Sequence, residues 1–189
     1  RWKFWKNSCR SILQDPPEVP TLLTPHLRLR PWQAGDAQRL FSILQEPGIM
    51  QYFPKTAPPP QAWVAKYIQH HQQHWEDRGY GHWAVVNKAD GQVVGWTGVE
   101  YLPELNQIEI AYLLSGEVQG RGFATDAAQA ALNFGFHTCG LMEIIGLVHP
   151  HNAASIRVLE KCGLVWQDKL DLWGMQLLRY RMDGIPCAG

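Results

Sequence analysis

Two periods of apolar positions run along the chain, and together they predict a domain that mixes strands with helices. Apolar runs and alternations typical of strands occupy residues 26–30, 82–87, 92–100, 107–114, 142–148, 164–169 and 175–182. The helical period occupies residues 37–44, 61–78, 126–136 and 153–162. No internal repeat is evident, so we expect one layered domain rather than a repeat array.

Local patterns indicate how these strands pair. The sequence Lys-Ala-Asp-Gly at 88–91 separates residues 82–87 from 92–100, and an Asp-Gly turn between two apolar runs is typical of an antiparallel hairpin. Residues 108–114, the following helix and residues 143–148 form a βαβ unit, whose strands we expect to be parallel. The predicted fold class is therefore α+β: a single domain with a central mixed, mostly antiparallel sheet, flanked by helices and containing one parallel βαβ unit.

The beginning of the chain differs in composition from the rest. Prolines cluster between residues 14 and 25 and predict an extended linker there. Before it, apolar and basic residues separate onto two faces of a short helix, which could dock to a membrane surface or partner, pack on its own domain, or remain partly disordered. We therefore predict an N-terminal tail and linker (1–25), a domain (26–183) and a C-terminal tail (184–189).

Charge and composition argue against several kinds of partner. The chain has 17 basic and 17 acidic residues, so no general attraction to nucleic acid or to an anionic membrane is expected. No apolar run approaches the length of a membrane span, and we expect no integral membrane segment. The four cysteines lack a metal-type C-x-x-C spacing, so we expect reduced thiols and a cytoplasmic location.

Residues 118–125, Val-Gln-Gly-Arg-Gly-Phe-Ala-Thr, carry the most functional information in the chain. Gly120 and Gly122 remove side chains that would keep a ligand away, and the first N–H groups of the following helix lack partners within it. Such a turn can bind a phosphate, and Arg121 adds a positive charge beside it. A glycine-rich connection without a ligand is the alternative.

The order of residues in this turn resembles the GNAT acetyltransferase family. Gln119, Gly122 and Ala124 fit the family signature Q-x-x-G-x-(G/A). A Walker A loop does not fit, because no Gly-Lys-Ser/Thr follows. A Rossmann fingerprint does not fit either, because G-x-G-x-x-G is absent. The turn alone therefore favours one family among those that bind phosphate with glycine-rich turns.

Three further segments resemble the same family in the expected order. Residues 152–164 resemble its downstream element, which has Asn, Ser and Gly-Phe at fixed spacing, with Leu164 in place of the phenylalanine. Residues 27–37 resemble the opening strand and first helix of the ribosomal-protein N-acetyltransferase branch. Glu-Ile-Ala-Tyr at 109–112 occupies the place of that branch's Glu-Ile-Gly-Tyr. The resemblance covers residues 26–183.

The resemblance implies an enzyme that transfers an acetyl group from acetyl-coenzyme A directly to a primary amine, without a metal. The acceptor is expected to be a small-molecule amine or a protein N-terminus, and the protein a monomer or homodimer. A non-catalytic coenzyme A-binding regulatory module is the alternative. Asn152 is expected to bond to the pantetheine arm, or else to cap a helix. The residues expected to bind acetyl-coenzyme A are Leu113, Leu114, Gln119, Gly120, Arg121, Gly122, Phe123, Ala124, Thr125, Asn152 and Ser155.

Glu109, Ser155 and Tyr112 are the candidates for the catalytic chemistry. Glu109 lies in an otherwise apolar strand, where burial would raise the pKa of its carboxyl and suit it to act as a base. A paired structural glutamate is the alternative, and Glu100 is the second candidate. Ser155 is expected to donate a proton to the departing thiolate, unless it only begins a helix. Tyr112 and Tyr180 could also approach the thioester, although tyrosine in strands more often serves packing.

Aromatic residues flank a proline-rich turn and are expected to form a wall of the acceptor site: Tyr52, Phe53 and Trp63. We expect an α-amine to be preferred over a polyamine, because a larger fraction of an α-amine is neutral at pH 7.

Three histidines on the second helix resemble a metal cluster. His70 and His74 share a helical face, and His71 lies beside them. No carboxylate stands at the spacing of a metal motif such as H-E-x-x-H, so a solvated helix face without a metal is the prediction.

Overall fold

The computed structural model describes residues 18–184, and its centre is a mixed sheet of eight strands. The strands are β1 (Leu22–Leu23), β2 (Leu27–Arg30), β3 (His82–Asn87), β4 (Val93–Leu102), β5 (Gln107–Leu114), β6 (Glu143–Val148), β7 (Val165–Leu172) and β8 (Met175–Asp183). The helices are α1 (Asp36–Leu44), α2 (Gln61–Arg78), α3 (Phe123–Asn133) and α4 (Ala153–Lys161). The predicted N-terminal helix and residues 185–189 lie outside the described residues.

The strand order is β1-β2-β3-β4-β5-β6-β8-β7, and all neighbours are antiparallel except β5 and β6. β5 and β6 are parallel and are connected through α3, which is the predicted βαβ unit. The predicted fold class, α+β with a mixed and mostly antiparallel sheet, is therefore confirmed. The β3–β4 hairpin is confirmed as well, and α2 has the predicted bounds.

Helices cover both faces of the sheet because the side chains of each strand alternate between the faces. Apolar residues of α1 and of the first half of α2 pack with Trp96 and Leu113 in one cluster. Residues of α3 and α4 pack with Ile110 in the other cluster. β5 serves both layers, since Ile110 and Tyr112 face α3 and α4 while Ala111 and Leu113 face α1 and α2.

The segment predicted as a linker contributes to the sheet. Leu22–Leu23 pairs with β2, and the indole N–H of Trp83 donates to the Pro20 carbonyl oxygen at 2.8 Å. A proline-rich segment is compatible with this position, because β1 is an edge strand and proline retains its carbonyl acceptor.

α3 begins earlier than predicted, at Phe123 rather than residue 126. Gly122 precedes it in the left-handed conformation, and the helix ends in a π-helical turn, Phe134–Thr138. The N-terminus of α3 therefore follows the glycine-rich turn directly. Within residues 18–184, no helix combines the length and the apolar character needed to cross a bilayer.

Candidate active site

The register pair of the parallel strands β5 and β6 is Glu109↔Ile145, and no pair of described residues follows it toward their carboxyl ends. We call the region between these two carboxyl ends the parting. Beyond the register pair, β5 continues to Leu114 paired with β4, and β6 continues to Val148 paired with β8. Alternate N–H groups of β5 therefore point away from β4 into the parting, where a ligand can bind them. The side chains of Leu113 and Leu114 are buried, so these residues can offer a ligand mainly their backbone.

Two helices begin at this edge of the sheet. The chain leaves β5 through a 3₁₀ turn, Gly116–Val118, and enters α3, whereas a short loop leads from β6 into α4. Because the carboxyl ends of parallel strands share one edge, the N-termini of α3 and α4 both lie at the parting. Their unpaired N–H groups and the positive ends of their dipoles favour an anionic ligand there.

The glycine turn (residues 119–122) has an open space in front of it. Gly120 and Gly122 have φ angles of 75° and 81°, which side chains other than glycine rarely adopt. A Cβ placed at either glycine would meet no heavy atom within 4 Å. Residues 123–125 follow as the first turn of α3, with N–H groups that have no partner within the helix. Together these backbone groups can bind a diphosphate.

Charged side chains lie around this turn. The Glu46 carboxylate accepts hydrogen bonds from Ser115 Oγ and from Gly116 N, both at 2.7 Å. The Arg121 guanidinium lies 4.4 Å from the centre of the Phe123 ring, which keeps a positive charge beside the first turn of α3. Sequence reasoning missed Glu46, because it lies 69 residues before Ser115 and no local pattern marks it.

Tyr112 and Ser155 meet on the α4 side of the sheet. The Tyr112 hydroxyl lies 2.8 Å from Ser155 Oγ and donates to the Ser155 carbonyl oxygen at 3.1 Å. Burial raises the pKa of Tyr112 despite the opposing hydrogen bond with Ser155, so this hydroxyl is protonated at neutral pH. Asn152 Oδ1 accepts from Ser155 N at 3.1 Å and caps α4. Asn152 therefore has the helix-capping role that was the alternative for both residues, and the Ser155 hydroxyl faces Tyr112.

Glu109 is a buried carboxyl at the start of the parting. Glu109 is 8% exposed, and its Oε1 accepts a hydrogen bond from Leu147 N at 3.2 Å. Burial raises the pKa of Glu109 well above its ordinary value, and the charge of Glu100 raises it further, while the bond from Leu147 opposes both. Strand alternation places Glu109 on the face covered by α1 and α2, opposite Tyr112. A carboxyl whose pKa is raised by burial is better suited to accept and return a proton than an ordinary glutamate.

Glu100 is the cross-strand partner of Glu109 but has a different environment. Its Oε1 lies 3.4 Å from His82 Nε2. Burial acts to raise the pKa of Glu100, but His82, with smaller contributions from His74 and His70, outweighs burial and leaves the pKa below its ordinary value. The pKa of Glu109 is thereby raised while the pKa of Glu100 is lowered. Opposite shifts of this kind distinguish a proton-exchanging group from one that stays charged. This contrast favours Glu109 over Glu100 as the base.

The prediction of a solvated histidine face on α2 is wrong for two of the three residues. His70 is exposed, but His71 and His74 are 2% and 9% exposed. The His71 ring stacks on His82 with 3.8 Å between ring centres. His74 Nδ1 donates to the Tyr80 carbonyl oxygen at 2.7 Å. An imidazole can be buried when its faces or nitrogens find partners, and the spacing along one helix does not reveal partners on another element.

The aromatic residues that we predicted to lie near the acceptor pack against neighbouring elements. Tyr52 stacks on His149 with 5.3 Å between ring centres, which brings the proline-rich segment beside the loop before α4. Trp63 stacks on Tyr67 at 5.1 Å and remains 43% exposed. Tyr180 is buried, and its hydroxyl bonds to a carboxylate of α4. Tyr52 thus lies near the start of α4, as a wall of an acceptor site would require.

Comparison with known proteins identifies the family. Residues 26–165 match the model described as acetyltransferase (GNAT) domain. The chain is 26% identical over 148 residues to spermidine N(1)-acetyltransferase of Escherichia coli (strain K12), aligning 76% of this chain and 75% of that protein. The solved acetyltransferase of Agrobacterium tumefaciens str. C58 is 26% identical with a TM-score of 0.76, covering 87% of this chain and 95% of that one. RimL, a ribosomal L7/L12 alpha-N-protein acetyltransferase in complex with coenzyme A, has a TM-score of 0.73 at 16% identity, covering 88% and 97%.

The chain belongs to the GNAT acetyltransferase family, so the resemblance found in the sequence is confirmed. It is an acetyltransferase that uses acetyl-coenzyme A. A ribosomal-protein acetyltransferase is among the proteins of similar fold. The matched residues include the parting, the glycine turn and the beginning of α4.

Replacing Gly122 with valine is expected to abolish acetyl-coenzyme A binding while the domain still folds. The added side chain would meet no protein atom but would occupy the open space before α3. Gly140→Val is the matched control, because Gly140 has a φ of 65° and an equally open Cβ position, at the opposite end of β6 from the parting. Calorimetry with acetyl-coenzyme A measures the effect, and equal affinities for the two variants would remove the phosphate role from the glycine turn.

Proposed function

We propose that this chain is an N-acetyltransferase that transfers the acetyl group of acetyl-coenzyme A to a primary amine by direct attack. The observation that carries the proposal is the placement of proton-transfer groups on opposite faces of β5 beside the parting. Glu109 lies on the side of α1 and α2, and Tyr112 bonds to Ser155 on the side of α4. The attacking amine must lose a proton and the departing thiolate benefits from gaining one, so both kinds of group are required.

Backbone groups at the parting are proposed to bind the cofactor. The N–H groups of residues 119–125 would bind the pyrophosphate, and Arg121 would add charge. Asn152 uses Oδ1 to cap α4, which leaves its two Nδ2 hydrogens to donate to the amides of the pantetheine arm. The backbone of Leu113 and Leu114 borders the parting where the thioester end would lie.

The transfer forms a carbon–nitrogen bond and breaks the carbon–sulfur bond of the thioester. Glu109 would accept the amine proton through bridging water, because Glu109 and Tyr112 are roughly 10 Å apart along the strand. An N–H of β5 that points into the parting would stabilise the oxyanion, and one such donor is worth about 2.7–4 kcal/mol. Ser155, hydrogen-bonded to the protonated Tyr112, would pass a proton to the departing thiolate.

We further propose that the acceptor is an α-amine, either at a peptide N-terminus or on an amino-acid-like small molecule. A larger fraction of an α-amine is neutral at pH 7, because its reference pKa is roughly 8 against roughly 10.4 for an alkyl amine such as lysine. The aromatic side chains Tyr52, Phe53 and Trp63 would contact a modestly apolar residue beside that amine. The names of similar proteins point to two acceptor classes, spermidine and a ribosomal protein, so both classes belong in the test.

Glu109→Gln is expected to lower kcat by about 10²–10⁴-fold at neutral pH with little change in acetyl-coenzyme A affinity, because it removes only the proton acceptor. Steady-state kinetics and calorimetry separate the two effects. Glu104→Gln is the matched control, since Glu104 is an exposed glutamate in the turn between β4 and β5. Near-normal turnover of the Glu109 variant would show that Glu109 has a structural role. Glu100 or a water chain would then be the favoured proton acceptor.

The same Glu109 substitution is expected to stabilise the fold increasingly as pH rises. Because the folded-state pKa of Glu109 is raised, its stabilising contribution is complete below the ordinary glutamate pKa and is lost as pH rises through the folded-state value. Glutamine does not ionise, so the difference in unfolding free energy between variant and wild type should widen in favour of the variant as pH rises above the ordinary glutamate pKa of about 4.3. Urea unfolding at a series of pH values above this point gives the difference, and a constant value would contradict the raised pKa.

Ser155→Ala is expected to slow acetyl transfer with a stability loss of about 1 kcal/mol, the size of one hydrogen bond. The start of α4 should persist, because Asn152 supplies the cap. Ser42→Ala is the control, since Ser42 Oγ makes one hydrogen bond at 3.1 Å on an exposed helix face. A Ser155 variant that loses acetyl-coenzyme A affinity but keeps its kcat would show that Ser155 only positions the pantetheine.

A mixed panel of peptides, amino-acid-like amines, spermidine and aminoglycosides tests the acceptor class, with products identified by mass spectrometry. Acetylation of α-amines in preference to polyamines is expected. Selective acetylation of spermidine would overturn the acceptor preference but keep the reaction class. Tight cofactor binding without turnover of any acceptor would instead favour a coenzyme A-binding regulatory module.

A further inference from the structure

Two histidines of α2 and a glutamate of β4 bring their ligand atoms together. One donor atom from each of His70, His71 and Glu100 lies within 4.8 Å of the others. Imidazole nitrogens with a carboxylate oxygen are ligands typical of Zn²⁺ and neighbouring first-row metals. We propose that His70, His71 and Glu100 form a binding site for one divalent transition-metal ion, with Zn²⁺ the best match. This proposal does not depend on which amine accepts the acetyl group.

The buried ring of His71 supplies a second observation. Its Nδ1 is buried and has no hydrogen-bond partner among residues 18–184. A buried polar atom without a partner is destabilising, and coordination of a metal ion through Nδ1 would offer this atom the interaction that the fold does not. The ring is also fixed in orientation, because it stacks on His82 and its centre lies 4.5 Å from that of Tyr67 in an edge contact. Fixed ligands reduce the entropic cost of binding an ion.

His82 and Tyr67 lie behind Glu100. His82 Nε2 lies 3.4 Å from Glu100 Oε1, and His82 Nδ1 lies 2.8 Å from the Tyr67 hydroxyl. Residues in this outer position influence a ligating carboxylate. No carboxylate stands at metal-motif spacing in α2 itself, so the tertiary fold supplies one from β4. This is why the histidines alone did not predict a site.

The geometry needs a small adjustment that the exposed ligand can provide. Zinc–nitrogen and zinc–oxygen distances near 2.0–2.1 Å place tetrahedral ligand atoms roughly 3.4 Å apart, so donor atoms within 4.8 Å of one another must approach by up to about 1.4 Å. His70 is exposed and can change rotamer to close this gap. His74 is excluded as a ligand, because Nδ1 bonds to the Tyr80 carbonyl and Nε2 accepts from Tyr101 N. The fourth position is left to water or to another small ligand.

The test is titration of the metal-free full chain with zinc chloride by calorimetry, followed by Co²⁺ substitution and visible absorption spectroscopy. The ligand variants are His70→Ala and Glu100→Gln, and His137→Ala is the matched control because His137 is exposed and lies in the π-helical turn after α3. We expect wild type and the control to bind one Zn²⁺ per chain. With Co²⁺ in its place, we expect the d–d absorption bands of an ion coordinated by protein side chains. Each ligand variant should bind at least about tenfold more weakly.

Two results would contradict the proposed metal site. One is wild type that binds no Zn²⁺ under these conditions. The other is Zn²⁺ binding with unchanged affinity and unchanged Co²⁺ spectrum in both His70→Ala and Glu100→Gln, which would place the ion elsewhere, for example on cysteine. Unfolding midpoints measured with and without Zn²⁺ give a further readout, because an ion that bridges α2 and β4 in the folded state raises the midpoint of wild type more than that of either variant.

Discussion

The separation of β5 from β6 is the constraint on which the rest of the site depends. Once the two parallel strands part beyond Glu109↔Ile145, backbone groups of both strands lose the partners that a continuous ladder would provide. The Glu109 carboxyl replaces one of them by accepting from Leu147 N. The same break therefore opens a space for a cofactor and places a buried carboxyl at its inner end. That carboxyl remains buried at a cost, which is expressed in its raised pKa.

The anion-binding character of the opening follows from topology rather than from net charge. Both strands end at one edge, so α3 and α4 begin there and direct their unpaired N–H groups toward it. The glycine turn keeps the approach to α3 free of side chains. Side-chain contacts fix the surrounding backbone: Glu46, from a distant segment, binds Ser115 and Gly116, and Asn152 caps the helix that it precedes, α4. A chain with a formal net charge of zero can thus bind a polyanionic cofactor through oriented backbone groups.

Local signals in the sequence predicted much of the fold, whereas contacts between distant residues did not follow from it. Periodicity and turn residues were sufficient for α2, for the β3–β4 hairpin and for the parallel pair, because each depends on neighbouring residues. Glu109, Tyr112 and Ser155 could be named from their motifs, but the Tyr112–Ser155 bond spans 43 residues and required the fold. The strand Leu22–Leu23 and the burial of His71 likewise depend on partners in other elements. Spacing along one segment cannot reveal them.

Side chains alternate between the two faces of β5, which separates the proposed proton acceptor for the amine from the proposed proton donor for the thiolate. Glu109 faces the layer of α1 and α2, while Tyr112 and Ser155 face the layer of α4. An amine would therefore approach from one face of the sheet and the thiolate would depart on the other. Residues that choose the acceptor would then lie in α1, α2 and the segment between them, whose Tyr52 stacks on His149 before α4. Side chains of these elements would then set the acceptor preference, while backbone groups bind the cofactor.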